Sequence, residues 1–364
     1  MTDRDLDLLM QLCSIPTAPF AEQRVLAFID DFAHRRRFDL KFDRYGNRLL
    51  QAGPKRGRRR LVFVAHTDHP GMVSMKMTGP RTLLARFHGG VLSDYVRGTK
   101  VRFFAGDGKE VPGRVENITR KSDRADFPVE VEVSVRSPVP RGAPGMFDQG
   151  GGRVKGRRFY SRVCDDLAGV AAILSAMDRL DRRKLKVPVA ALLTRAEEDG
   201  FIGAIAAVRA GELVRRDDRL ISVECSAEQP YAKQGNGVIL RVGDRTSIFH
   251  SGFTHWMHQQ CEQLARDDKS FRFQRALMPG GSCEGTVFDS HGYVAAAACV
   301  PLGNYHNMDR QKQVIGPEYV DLADWRNEVK LFAHLGQRAH EIDLKFTGLK
   351  QRLNKRFSML RGYL

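Results

Sequence analysis

The chain has 364 residues, 42% of them hydrophobic and 28% charged, with a formal net charge of +16 at pH 7. This composition is typical of a folded globular protein and excludes a largely disordered chain. No apolar run approaches the roughly 18 residues that a membrane span needs. The opening stretch, MTDRDLDLLMQLCS, lacks the apolar core of a secretory signal, so a cytoplasmic location is expected.

Cysteines and basic residues are both dispersed along the chain. The cysteines show neither CxxC pairs nor the spacing of a disulfide framework, so reduced thiols are expected. They are Cys13, Cys164, Cys225, Cys261, Cys283 and Cys299. The basic runs lie between predicted elements, without a helix-turn-helix, zinc-finger or RRM signature. A solvated basic surface is therefore favoured over a specific nucleic-acid site.

The first half of the chain predicts a helix, a hairpin, a buried strand and an insertion. Apolar residues at helical spacing predict a helix over 22–36. Alternation around a Gly-Asn turn predicts a hairpin over 38–53, and the apolar run 61–65 predicts a buried strand. From about residue 71 to 159 the sequence consists of short alternating runs rich in Gly, Pro, Val and Arg. We interpret this stretch as a small inserted β-domain.

In the second half, apolar strands alternate with helices. Helical periodicity follows the CDDLAG motif, and residues 254–268 form a further predicted helix. Continuous apolar runs lead up to residues 194, 224 and 304. Strands of this kind are buried on both faces by helices, which predicts an α/β fold with a mixed, mostly parallel sheet.

Four predicted strands are followed by, or contain, side chains of the types that commonly bind metal ions. These side chains are His66, Asp68, Glu197, Glu198, Glu224 and His306, in chain order. Because sites in open α/β sheets form beyond the carboxyl ends of the strands, we expect these groups to converge.

Individually these motifs have simple structural interpretations. His66 and Asp68 fit a capped strand end, and Asp165 fits the N-cap region of a helix. The neighbouring Glu197 and Glu198 are different, because two desolvated carboxylates repel each other unless cations compensate them. Imidazole and carboxylate ligands suit zinc, and two ions about 3.5–4 Å apart need a bridging carboxylate. Taken together, the motifs favour a metal site.

The order AHTD, CDD, AEEDG, VECS and NYHN, with DRYGN upstream, resembles the tetrahedral (glutamyl) aminopeptidase family of dinuclear metallopeptidases. The resemblance extends from LLMQLCSIPTAP to about residue 339. It implies two divalent ions per chain, zinc first, with cobalt or manganese as alternatives. The implied ligands are His66 and Glu224 for one ion, Glu198 and His306 for the other, and Asp165 as the bridge between them.

The resemblance also implies an activity and a division of the chain. Glu197 would be the general base of an aminopeptidase acting on peptides, and Asp68 would orient His66 through its second ring nitrogen. Related carboxypeptidases and deacylases place their extra domain before the last histidine, whereas here the long interval precedes Asp165. The expected units are residues 1–72 with 157–344 (catalytic), 73–156 (inserted β-domain) and 345–364 (C-terminal extension).

Several positions depart from the family pattern. Glu224 replaces an aspartate, His69 a glutamate and Asn307 a serine, and GGTDA becomes GGSCEGT with Glu284. The alternatives are an N-acyl amino acid deacylase, a glycan hydrolase, or a non-catalytic metal- or nucleic-acid-binding scaffold. The intact Glu197 disfavours a scaffold. A glycan hydrolase ranks last, because glycosidases use two carboxylates without metals.

Two further expectations concern assembly. Short strands within 73–156 would leave costly unpaired edges, and the resemblance implies inserts that build dimers and then a closed shell. We therefore expect a homo-oligomer, from a dimer up to a dodecamer. The tail sequence predicts a basic amphipathic helix that starts after Gly348. We expect its apolar stripe to pack on the body of the chain or on a neighbouring subunit. The alternative is docking on an anionic membrane surface or an acidic partner. The stripe is Phe346, Leu349, Leu353, Phe357, Leu360 and Leu364.

Overall fold

A computed structural model describes residues 3–54, 59–106, 108–123 and 125–364. Its helices are α1 (Asp3–Leu12), α2 (Gln23–Arg35), α3 (Ser93–Val96), α4 (Leu167–Arg179), α5 (Ile202–Ala210), α6 (Ser251–Asp267), α7 (Glu284–Ser290), α8 (Leu322–Gln337) and α9 (Thr347–Leu360). Short 3-10 turns cover Tyr305–Asn307, Ala339–Glu341 and Arg361–Tyr363. In the described ranges, no helix has the length and apolar character to cross a membrane.

The strands, in chain order, are β1 (Asp39–Phe42), β2 (Arg48–Ala52), β3 (Leu61–His66), β4 (Gly71–Gly79), β5 (Thr82–His88), β6 (Lys100–Phe104), β7 (Glu110–Lys121), β8 (Pro128–Val135), β9 (Pro144–Phe147), β10 (Arg153–Lys155), β11 (Arg158–Ser161), β12 (Val189–Thr194), β13 (Arg219–Ala227), β14 (Val238–Gly243), β15 (Phe273–Leu277), β16 (Val294–Gly303), β17 (Met308–Asp309), β18 (Val314–Ile315) and β19 (Glu318–Asp321). The predicted helix over 22–36 and hairpin over 38–53 are confirmed as α2 and the antiparallel pair β1–β2.

One large mixed sheet organises the fold. Its strand order is β1-β2-β12-β3-β13-β16-β19-β11-β10, and β14 pairs with both β15 and β16. The central strands β12, β3, β13 and β16 are mutually parallel, as is the pair β14–β15. The flanking pairs are antiparallel. The predicted mixed α/β sheet is confirmed, and its parallel pairing is concentrated at the centre.

Both faces of the central strands are covered by helices. Phe63 and Ala65 join the apolar cluster formed with α1, α2, α4, α6 and α8. The alternate residues Val62 and Val64 join a second cluster formed with α5 and α7. Because successive side chains of a strand point to opposite faces, the whole of β3 is buried. This explains why its sequence is continuously apolar up to His66.

Strands β4 to β9 form a closed barrel in the order β4-β5-β8-β7-β6-β9, and β9 pairs back onto β4. Its core contains the buried side chains of Val101, Phe103 and Phe147. In a closed barrel every strand is hydrogen-bonded to a neighbouring strand on each side, so no strand edge stays free. The expectation that this segment leaves strand edges unpaired is therefore wrong for the described residues.

The C-terminal helix differs from expectation in two ways. It begins at Thr347, so it includes Gly348. Asp343 stabilises this start, because its carboxylate accepts hydrogen bonds from the backbone N–H groups of Lys345 and Thr347, at 2.9 and 2.6 Å. No residue of α9 is buried. The expected packing of the stripe onto the body of the same chain is therefore wrong for Leu353, Phe357 and Leu360, whereas Phe346 does pack on His255. All six cysteines are buried and free, which confirms the reduced thiols.

Candidate active site

Strand register brings the predicted site residues to one edge of the sheet. Thr194 of β12 lies opposite His66, the last residue of β3. Glu197 and Glu198 follow Thr194 directly, so they extend beyond the same edge. On β13, Ser222 lies opposite Val64, which puts Glu224 level with His66, inside β13 rather than after it. His306 lies in the turn that follows β16.

Asp165, in the loop before α4, completes the cluster. Three groups of potential ligand atoms lie within 4.8 Å of one another. These groups are His66 with Asp165 and Glu224, His66 with Glu197 and Glu198, and Asp165 with Glu198 and His306. Asp165 belongs to both the first and the third group. Its oxygens face the two imidazoles from opposite sides, 3.5 Å from His66 Nε2 and 3.9 Å from His306 Nε2.

Asp68 holds the backbone that carries the two glutamates. Its carboxylate oxygens accept hydrogen bonds from the N–H groups of Glu197 and Glu198, both at 3.0 Å. Nδ1 of His66 lies 3.2 Å from the main-chain oxygen of Asp68 and 3.6 Å from its carboxylate. The second distance is too long for a hydrogen bond. The nearer contact of the imidazole is thus with the backbone of Asp68, and the orienting role of the Asp68 carboxylate stays a prediction.

Glu318 fixes two other site residues at once. One of its oxygens accepts hydrogen bonds from the backbone N–H groups of Cys164 and Asp165, at 2.7 and 3.0 Å, and the other accepts from the N–H of His306, at 2.9 Å. Burial, above all, raises the pKa of this carboxyl. The sequence interpretation missed Glu318, because its partners are remote in the chain and it follows no recognisable motif.

Glu22 fixes the backbone that leads into Glu197, as Glu318 fixes the backbone of Asp165 and His306. It is fully buried and accepts hydrogen bonds from the guanidinium of Arg195 and the N–H of Ala196, at 2.8–3.0 Å. These residues directly precede Glu197. Ala196 itself has a left-handed φ of 50°, a conformation that costs a non-glycine residue about 1–2 kcal/mol. The sequence interpretation also missed Glu22, which lies at the N-cap of α2 and carries no local signal for this contact.

The barrel contributes to the position of His306. Its Nδ1 lies 2.9 Å from the carbonyl oxygen of Gly90, just after β5. Tyr305 stacks on the imidazole, with ring centroids 3.8 Å apart. Met308, two residues further on, packs in the apolar core of the barrel. The histidine is therefore held from the barrel side through the ring atom that does not face the carboxylates.

The positions that depart from the family pattern lie in or beside the cluster. His69 is fully buried, and its two ring nitrogens lie 2.7 Å from the Asp165 carbonyl oxygen and 3.0 Å from Asn307 Oδ1. The two unusual residues therefore contact each other and support Asp165. Glu284 is buried, and burial raises its pKa to about 7.

The cluster has an excess of buried negative charge. Burial, and then Asp165, raises the pKa of Glu224 to about 8. Burial also raises the pKa of Glu197 well above its ordinary value. Burial alone would lower the pKa of His306, but Glu198 outweighs it and raises that pKa to about 9. Each shift would reduce the net negative charge, so the site electrostatically favours a cation.

The donor atoms of the cluster fit divalent metal ions. Within the described residues, several of these buried atoms have no hydrogen-bond partner: His66 Nε2, Asp165 Oδ1, Glu198 Oε1 and Glu224 Oε1. The 3.5 Å between His66 Nε2 and Asp165 Oδ1 exceeds a hydrogen bond but approaches the separation of about 3.3 Å between two ligands of one tetrahedral zinc ion. Buried charges without partners are costly, and metal coordination would remove that cost.

Several solved structures share the fold of this chain. Aminopeptidase APDkam598 from the archaeon Desulfurococcus kamchatkensis is 19% identical, with a TM-score of 0.76 over 92% of this chain and 95% of that one. The TET1 peptidase of Pyrococcus horikoshii, described as assembling into a tetrahedron or a large octahedral shell, is 21% identical, with a TM-score of 0.75 over 91% and 99%. An endoglucanase structure from Thermotoga maritima is 17% identical, with a TM-score of 0.67 over 92% and 99%.

At these identities the solved structures show a common fold. The search of the curated proteins gives no match. A family model described as M42 glutamyl aminopeptidase matches residues 46–313, which include every residue of the cluster. The resemblance noted in the sequence is thereby confirmed, and the chain belongs to the M42 glutamyl aminopeptidase family.

Proposed function

We propose that this chain is a metal-dependent aminopeptidase that removes N-terminal residues from peptides. The convergence of two imidazoles and four carboxylates at one buried sheet edge, with several donor atoms unpaired in the described structure, is the main support. Family membership supports peptides as the substrate class.

Two divalent ions, zinc first, would be held by the two groups that share Asp165. His66 and Glu224 would complete one site, and Glu198 and His306 the other. When bound, such ions lower the pKa of water toward about 7 and polarise the scissile carbonyl. Glu22, Glu318, His69 and Asp68 would then keep the ligands and their loops in place.

Glu197 is the proposed general base. It is 8% exposed, and its Oε2 lies 4.0 Å from His66 Nε2, at the margin of the cluster. As the oxygen of the attacking water forms its bond to the carbonyl carbon, Glu197 Oε2 takes the proton. It passes this proton to the amine nitrogen as the C–N bond breaks. A positioned base of this kind contributes about 10²–10⁴ in rate.

A substrate panel tests the proposal. Purified protein is stripped with a chelator, reloaded with Zn²⁺, Co²⁺ or Mn²⁺, and assayed on aminoacyl amides, their N-acetylated counterparts and a cello-oligosaccharide. We expect two ions per chain by elemental analysis and cleavage only of substrates with a free α-amine. Preference for the N-acetylated series would instead identify a deacylase, and sugar release would identify a glycan hydrolase.

We also propose that the chain forms a homo-oligomer through the barrel, in the cytoplasm. The support is the family and the assembly stated for the Pyrococcus horikoshii structure. Light scattering at micromolar concentration tests it, with a multiple of the chain mass expected. A monomer mass would contradict it.

A further inference from the structure

The C-terminal helix α9 leaves most of its apolar stripe exposed in the described part of the chain. None of its side chains is buried. Leu353 is 57% exposed, Phe357 59% and Leu360 46%. Large apolar side chains this exposed on one helix form a patch that normally marks a binding surface.

The arrangement of charge around this patch is specific. At 100° per residue, Leu349, Leu353, Phe357 and Leu360 fall within an arc of about 80°. Lys350 borders this arc on one side. Arg356 borders it on the other, with Arg352 beyond it. The opposite face carries Lys355 together with four neutral polar residues: Thr347, Gln351, Asn354 and Ser358.

Cations that flank an apolar stripe suit the interface between membrane hydrocarbon and water. Long Lys and Arg stems can lie along the apolar surface while their charged ends reach the headgroup level. The polar face, which includes Lys355, then points to water. From residue 344 to 364 the chain has no acidic side chain, so nothing within the tail neutralises these cations.

Charge also selects among the surfaces that could cover the stripe. The α9 helix of a second copy carries the same cations and no acidic side chain, so two such helices would repel each other. An anionic bilayer offers acyl chains to the stripe and acidic headgroups to the cations. We propose that α9 docks this protein on an anionic membrane surface.

The start of the helix is fixed to the body of the protein. Asp343 accepts hydrogen bonds from the backbone N–H groups of Lys345 and Thr347. The Phe346 ring packs on His255, with centroids 5.0 Å apart. Phe346 therefore packs on the body of the chain, as the sequence interpretation expected of the stripe, and lies outside the docking surface. Membrane binding through α9 would hold the whole enzyme at the bilayer.

Vesicle sedimentation of the full-length protein tests this proposal. The vesicles contain phosphatidylcholine alone or mixed with phosphatidylglycerol. One variant, the flank variant, removes four of the five basic side chains between residues 347 and 364 (K350Q/R352Q/R356Q/R361Q). Another, the stripe variant, removes two apolar side chains of the stripe (L353S/F357S). A control removes the same number of charges from the exposed basic pocket of the barrel (R81Q/K100Q/R114Q/R136Q), which these residues line.

Wild type should bind only the anionic vesicles. The flank variant should lose at least about 100-fold in affinity, at roughly fivefold per charge. The stripe variant should lose at least about tenfold, because it removes apolar burial, while the barrel variant stays close to wild type. Peptide hydrolysis and oligomer mass should be unchanged in the flank and stripe variants, so the result is independent of the proposed activity.

Several outcomes would overturn the proposal. Equal losses in the flank and barrel variants would show attraction by overall charge alone. A changed oligomer mass in the stripe variant, with vesicle binding intact, would identify α9 as a subunit contact. Binding to an oligonucleotide that the flank variant loses and the stripe variant keeps, without vesicle binding, would assign the tail to nucleic acid.

Discussion

Replacing Asp68 with asparagine should disturb both stability and the metal cluster. Burial opposes ionisation of Asp68, but His66 and the two N–H groups it accepts outweigh burial and lower its pKa. It is therefore a charged acceptor for the backbone of Glu197 and Glu198. Asparagine keeps one acceptor oxygen and points an NH₂ group at the other N–H donor. One charge-assisted bond worth about 1.5–3 kcal/mol is lost and a buried donor is left unpaired, so we expect a loss of about 2–4 kcal/mol.

Asp68→Asn should also lower metal affinity and kcat, because Asp68 holds the backbone of Glu197 and Glu198. Loss of support for ligand residues typically costs about 10–100-fold in metal affinity. A displaced base costs about 10²-fold in kcat. Urea denaturation, competition with a chelator and steady-state kinetics at saturating metal measure these three effects separately.

Asp218→Asn is the matched control. Asp218 is also fully buried and accepts hydrogen bonds from Arg60 at 2.9 and 2.6 Å. It immediately precedes β13, at the opposite end of the sheet from the cluster. Breaking this buried pair should cost about 3–5 kcal/mol while metal affinity and kcat stay unchanged. The reasoning fails if Asp68→Asn leaves both metal affinity and kcat intact, or if Asp218→Asn lowers them equally.

Three other substitutions test separate parts of the molecule. Glu197→Gln should keep two ions by elemental analysis and lose about 10²–10⁴ in kcat; near-normal turnover would refute its role as base. Asp165→Ala should lower occupancy of both ions, and two ions still bound would exclude a bridge. Glu328, whose carboxylate is buried without a hydrogen-bond partner in the described structure, has a pKa raised well above its ordinary value by burial and then by Asp324. As pH rises above about 4.3, the free energy of unfolding of the wild type should therefore fall by up to about 1.4 kcal/mol per pH unit relative to that of Glu328→Gln. Parallel urea-stability profiles of the two proteins from pH 5 to 8 would contradict this.

Local sequence pattern was sufficient for the sheet and for where the site residues lie. His66, Glu197 and Glu198 follow apolar runs, and parallel strands bring their carboxyl ends to one edge. Asp165, which follows no strand of the central parallel set, came from the CDD motif, and the resemblance added its role as the bridge. The assigned roles of these residues stay predictions.

The residues that support the ligands could not be found in this way. Glu318 contacts Cys164 across 154 positions of the chain, and Glu22 contacts Ala196 across 174. A hydrogen bond between such distant residues leaves no local periodicity or spacing. The closure of the barrel, where β9 returns to β4, also depends on long-range pairing. For α9, amphipathicity predicted a helix but could not show what covers it.

The contact between Gly90 and His306 limits how far the barrel can be treated as an interchangeable module. Gly90, whose carbonyl oxygen orients the His306 imidazole, belongs to the segment after β5, and Met308 packs in the barrel core. Exchanging the barrel for a relative's barrel, or deleting it, would remove the constraint on that imidazole even if the rest of the sheet folded unchanged. A chimera that retains the segment from His88 to Val91 and the packing around Met308 would preserve it. Natural variation in this insert should therefore be free on its outer surface and restricted where it meets the turn after β16.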